Sequence, residues 1–101
     1  MPVIHVVIVK FARQLTIEEA TVLISAANEM IRNIAVIKKL SCGCDMGIGG
    51  DPRMSFSLTA QFESKEAYQE YALDPVHKAF IAAHLKPVMA ENGRAAIQYV
   101  I

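Results

Sequence analysis

The stretch Pro2-Val-Ile-His-Val-Val-Ile-Val-Lys10 constrains the fold more than any other part of this chain. Its β-branched residues favour extended backbone. As a strand it is apolar on both faces, with Val3, Val7 and Val9 on one side and Ile4, Val6 and Ile8 on the other. A strand of this kind needs cover on both sides. The segment is therefore expected at the centre of a sheet, and the rest of the chain must supply the cover.

The remaining elements follow from period and punctuation. Thr16-Ile-Glu-Glu19 is a capping-box pattern that starts a helix. Ile17, Ala20, Ile24, Ala27 and Ile31 then recur at helical spacing, widened by Leu23 and Met30, and Asn33 is a stop. Val36 to Asp45 reads as a second strand, followed by a Gly-rich connection at Gly47-Ile-Gly-Gly50-Asp-Pro52. The connection lacks the Gly-Lys-Ser/Thr ending of a phosphate loop. A third strand alternates Met54, Phe56, Leu58, Ala60 and Phe62 with Ser55, Ser57, Thr59 and Gln61. Ser64 begins a short helix through Tyr71, Asp74-Pro75 starts another, and Pro87 ends or kinks it. Gly93 marks a turn before a last strand, Ala95 to Ile101.

The order β-α-β-β-α-β, with the second helix broken, is the ferredoxin-like split arrangement. It predicts an α+β fold, a four-stranded antiparallel sheet with its helices on one face, as a single domain over 1–101. Helices on one face leave Ile4, Val6 and Ile8 uncovered. A second sheet packed on them resolves this, and the neutral polar side of the third strand suits a semi-polar interface. A sheet-to-sheet homodimer is expected.

Composition removes several function classes. Ten basic and ten acidic residues are interspersed with no basic stripe, so nucleic acid and anionic membrane are not expected partners. The apolar runs are far too short to span a bilayer. No secretory pattern precedes Lys10, and a cytoplasmic protein is expected. Cys42-Gly43-Cys44 is then read as two reduced thiols. A metal site is not expected, since the spacing of His5, His77 and Asp74 matches no ligand pattern.

The chemistry-bearing residues gather in Tyr71-Ala-Leu-Asp-Pro-Val-His77. Asp74 caps, Pro75 fits the first turn, and His77 falls at about the third helical position. Tyr71 ends the preceding helix, so phenol and imidazole can meet across the corner. His5 is a third acid/base group, distant in sequence. Each has a plainer reading: His5 as a core histidine, Tyr71 as a helix-end aromatic, His77 as a brace for the corner.

Three segments carry a family resemblance. They are Val3-Ile-His5-Val-Val-Ile-Val-Lys-Phe11, Phe62-Glu-Ser64, and Tyr71-x-x-Asp-Pro-x-His77-x-x-Phe80. In order and spacing they resemble the stress-responsive α/β-barrel (Dabb) family of dimeric ferredoxin-like proteins. That family usually reads His-Pro-x-His where this chain has Asp74-Pro75-Val76-His77. The resemblance implies a dimeric α+β barrel with a pocket between each sheet and its helices. A few members are cofactor-free plant polyketide cyclases that close a chain by aldol chemistry. Their pocket residues match His5, Tyr71 and His77.

An aldol closure needs a base for an acidic C–H and a donor for the developing oxyanion. His77 is expected as base, Tyr71 as donor, and His5 to orient substrate or Tyr71. Phe80, Ile81 and His84 fall on the His77 face at spacings of three, four and seven, and with Val7 they are expected to line an apolar substrate pocket. The partner implied is a small hydrophobic carbonyl-containing ligand, with no cofactor. Two other readings stand beside the cyclase: a non-catalytic stress-response or small-ligand-binding dimer, and a cofactor-independent oxygenase.

Overall fold

The computed structural model describes residues 1–101. Its elements are β1 (Val3–Phe11), α1 (Ile17–Asn33), β2 (Lys39–Cys44), β3 (Ser55–Phe62), α2 (Lys65–Leu73), α3 (Pro75–Phe80), a π-helical turn (Ile81–Leu85) and β4 (Met89–Val100). The strands form one sheet in the order β2-β3-β1-β4, every neighbouring pair antiparallel. This is the expected ferredoxin-like α+β arrangement, with β1 central.

The two faces of β1 divide as its sequence requires. Val3, His5, Val7, Val9 and Phe11 are buried. Register carries that row onto Phe62, Ala60, Leu58 and Phe56 of β3, all buried, and with α1 these build the core. The opposite row of β1, Ile4, Val6 and Ile8, stands against Gln61, Thr59 and Ser57 of β3 and Tyr99, Ile97 and Ala95 of β4. No helix covers it, and Ile8, Ile97 and Tyr99 are 52%, 62% and 48% exposed.

The capping box of α1 is complete. Thr16 Oγ1 accepts from the Glu19 N–H at 3.1 Å, and the Thr16 N–H donates to Glu19 Oε1 at 2.9 Å. The buried stripe of α1 is a narrower part of the expected one, however. It runs through Ala20, Leu23, Ala27 and Met30, while Ile17 and Ile31 are exposed. The small Ala20 and Ala27 let the helix sit close on the sheet, which puts the flanking isoleucines at the rim.

Other boundaries also move. The second strand begins at Lys39 rather than Val36, because residues 35–36 turn and Ile34 and Ile37 are drawn into the core. Gly93 is not a turn before β4. The strand begins at Met89, paired with Phe11, and passes a register shift to reach Arg94 opposite Val9. Asn92 takes a left-handed φ of 55°. A Cβ on Gly93 would lie 2.6 Å from the Lys10 carbonyl oxygen and 2.8 Å from that of Ala90. Gly93 is thus required for close backbone approach at a bulge. Cys42 and Cys44 are free thiols on the helix-facing side of edge strand β2, and burial raises the pKa of both.

Candidate active site

The corner between α2 and α3 is built by Asp74. Its backbone N–H donates to the Tyr71 carbonyl at 3.1 Å, closing α2. Its Oδ1 accepts from the Val76 N–H at 2.8 Å, opening α3 with Pro75 in the first turn. One residue caps both helices, and the Tyr71 and His77 rings meet at a centroid distance of 4.1 Å.

His5 joins them from β1. Its ring lies 5.9 Å from that of Tyr71 and 5.0 Å from that of Tyr68. Phe62 packs against both tyrosines, at 5.7 Å from Tyr68 and 5.0 Å from Tyr71. The structure therefore brings His5, Tyr71 and His77 into one cluster between sheet and helices. His5 and Tyr71 are each 2% exposed, and His77 is half-buried.

Burial sets the ionisation of all three. It lowers the His5 pKa to about 4, assisted by the charges of Arg94 and His77. Burial also lowers His77; the Ala72 carbonyl and Asp74 oppose that shift, while Arg94 and Lys78 add to it. It raises Tyr71 well above the usual phenol range. At neutral pH the site thus holds two neutral imidazoles and a protonated phenol.

The imidazoles differ in what holds them. Gln98 on β4, opposite His5 in register, lies with Nε2 2.9 Å from His5 Nδ1. A neutral ring that accepts this N–H at Nδ1 carries its own proton on Nε2. In His77, Nδ1 is buried with no hydrogen-bond partner. A buried polar atom without a partner is costly, which makes it the natural point for a ligand to satisfy.

A cleft of about 400 Å³ adjoins the cluster, lined by Val3, Lys65, Tyr68, Gln69, Gln98, Tyr99 and Val100. Tyr68 and Gln98 contact His5 and also line the cleft, so they form the wall between it and the buried rings.

The expected substrate-contacting residues fare differently. Val7 and Phe80 are core residues and Ile81 packs against the core; none lines the cleft. His84 lies away from the cluster, and its place corrects the helical-face expectation. The Lys86 N–H donates to the Ile81 carbonyl at 2.9 Å, an i→i+5 bond. That wider turn breaks the 3.6-residue phase linking His84 to His77. His84 instead packs beside Phe80 at 5.7 Å and lines a groove with Leu15, Glu18 and Val22 of the α1 end. Tyr68, Gln98 and Arg94 are the residues that sequence reasoning missed. The alternation of β4 gives Gln98 a face, but only its register places it at His5.

Comparison with known families decides the lineage. The sequence model of the stress responsive A/B barrel domain matches residues 3–101.

The chain belongs to the stress responsive A/B barrel family.

Solved structures of the same fold have varied descriptions. A dimeric ferredoxin-like protein of unknown function from Bacteroides fragilis is 25% identical, with a TM-score of 0.79 over 99% of this chain and 96% of that one. The hydroxynitrile lyase of Passiflora edulis is 18% identical, with a TM-score of 0.77 over 99% and 93% of the two chains. A point mutant of SnoaB, a cofactor-independent oxygenase of Streptomyces nogalater, is 10% identical, with a TM-score of 0.72 over 99% and 92%. The last two likenesses are of fold. A comparison with curated proteins finds no significant match. Proteins of this fold thus include a lyase, an oxygenase and proteins of unknown function, and no helix of this chain is long and apolar enough to cross a membrane.

Proposed function

We propose that this stress responsive A/B barrel protein is a cofactor-free, polyketide cyclase-like enzyme of the cytoplasm. It closes a small poly-carbonyl substrate by an intramolecular aldol step. The observation that carries this reading is the pairing of Tyr71 with His77 at 4.1 Å, with Nδ1 of a neutral imidazole buried and unpartnered beside a protonated phenol. His77 takes a proton from a carbon between two carbonyls. The resulting enolate carbon bonds to a distant carbonyl carbon, whose oxygen becomes an alkoxide hydrogen-bonded by Tyr71 O–H. The proton on His77 returns to that alkoxide, leaving a β-hydroxy ketone that loses water. His5, tautomer-fixed by Gln98, orients Tyr71 or the substrate, and the cleft admits an apolar tail.

The active unit on this reading is a homodimer through the uncovered face of Ile4, Val6, Ile8, Ile97 and Tyr99, in keeping with the dimeric description of the Bacteroides fragilis relative. The competing reading is a non-catalytic small-ligand-binding dimer. The near-complete burial of His5 and Tyr71 favours it, because core packing alone would bury them.

Methyl 3,5,7-trioxooctanoate, whose C2 can reach C7 to close a six-membered ring, separates the two. The cyclase reading expects a chromatographically identified aromatic product that is lost in His77→Ala and Tyr71→Phe while the folded circular dichroism signal persists. No product above the uncatalysed rate, with both variants losing mainly thermal stability, would establish the non-catalytic dimer instead.

A further inference from the structure

The charges around the ring cluster point to the kind of substrate it takes. Arg94 stands on the helix-facing row of β4, in line with Ala96 and Gln98, and opposite Val9. It is exposed and, like the other basic residues apart from Arg13, Arg32 and Lys38, enters no ion pair. Its positive charge reaches His5, Tyr71 and His77 alike, lowering the pKa of each. Lys65, also outside any ion pair, lines the adjoining cleft, whose lining contains no carboxylate. Asp74, the carboxylate whose field reaches His77, is turned to the Val76 N–H as a cap.

A site of two neutral imidazoles and a protonated phenol has no charge of its own; Arg94 and Lys78 act on it with positive charge and Asp74 with negative, so the balance is positive and Arg94 is the one cation that reaches all three rings. A neutral ketone gains little from such a field. A carboxylate gains steering and, at a guanidinium, a two-pronged hydrogen bond. We propose that Arg94 anchors a carboxylate of the substrate, so that the substrate class is an oxo carboxylic acid whose carbonyls lie against Tyr71 and His77. This rests on the carbonyl-substrate reading above and adds the charged end that the reading leaves open.

Binding of 4-oxononanoate and of its methyl ester, measured by titration calorimetry on the whole protein, tests it directly. The acid is expected to bind roughly tenfold tighter than the ester at low salt, a preference that shrinks as sodium chloride is raised. Arg94→Gln should abolish the preference with little change in melting temperature, and Arg94→Lys should keep part of it. Equal binding of acid and ester, no saturable binding of either, or an undiminished preference in Arg94→Gln overturns the assignment. A preference lost in Lys65→Gln but kept in Arg94→Gln overturns it too, moving the anchor to the cleft lysine. Turnover of the trioxo ester and its free acid keeps the two ideas apart. Acid preference without turnover sinks only the cyclase reading, and turnover of both with equal KM sinks only the role of Arg94.

Discussion

Protonation of His5 should destabilise the fold by an amount that the structure sets. The ring is 2% exposed, and burial brings its pKa from 6.5 to about 4. The unfolded chain therefore takes up a proton near pH 6.5 that the folded protein resists until about pH 4. The sign follows: His5 supports full stability above 6.5, and that support is withdrawn as pH falls toward the folded value. At about 1.4 kcal/mol per pH unit, the loss is about 3 kcal/mol by pH 4. His77, also lowered, adds a loss of the same sign. Carboxylate titration falls on any variant equally, so a difference isolates the imidazole. His5→Phe keeps an aromatic ring among Phe62, Tyr68 and Tyr71. Urea unfolding of both proteins from pH 7 to pH 4, at one fixed protein concentration, reads the difference. The stability gap should move in favour of the variant by about 3 kcal/mol. Parallel stability–pH curves would refute the neutral, desolvated His5 on which the site's charge state rests.

The other expectations concern the bulge, the uncovered face and the corner. Gly93→Ala forces a methyl group to within 2.6 Å of the Lys10 carbonyl oxygen. It should cost about 1–3 kcal/mol, and an unchanged denaturant midpoint would contradict the close approach. Ile97→Glu puts a charge at a position that is 62% exposed in the single chain; light scattering should then find monomer where wild type is dimer, and a persistent dimer would exclude this face. The Tyr71 ring stays packed in Tyr71→Phe, so melting should shift little while turnover falls about 10²–10³-fold for want of an oxyanion donor. A large melting shift with intact turnover would make Tyr71 structural. Because His77 titrates below its ordinary value, the acid limb of the turnover profile should have an apparent pKa under 6.5; a midpoint above 6.5 would remove His77 as base.

The features legible in the sequence are those whose causes are local. The split of β1 into two apolar faces, the capping box of α1 and the Asp74-Pro75 corner each depend on a few consecutive residues, and each was found in place. The corner by itself brings Tyr71 to His77, so the expected base and donor needed no tertiary information. Where a local rule failed, a longer-range contact overrode it. Asn92-Gly93 has the chemistry of a turn, yet the pairing of Met89 with Phe11 continues β4 through it as a bulge. The α1 stripe narrowed, leaving Ile17 and Ile31 at the rim, because the two alanines permit close packing on the sheet. The π turn over Ile81–Leu85 has no signature in residue type, so the spacing from His77 to His84 misled.

The same division separates the parts of the site. The proposed base and donor come from one short segment, but what would tune them comes from β4, nearly the whole chain length from His5. Gln98 meets His5 across 93 residues through strand register alone, and Arg94 lies on the same row, opposite Val9. A change in register of β4 by one residue would move both to the other face of the sheet, freeing the His5 tautomer and removing the positive charge. The bulge at Asn92-Gly93 lies between the Met89–Phe11 pair and the Arg94–Val9 pair, next to where that row begins. Glycine at position 93 is therefore tied to the proposed site as well as to the fold: the close approach it permits puts Arg94 and Gln98 on the helix-facing side.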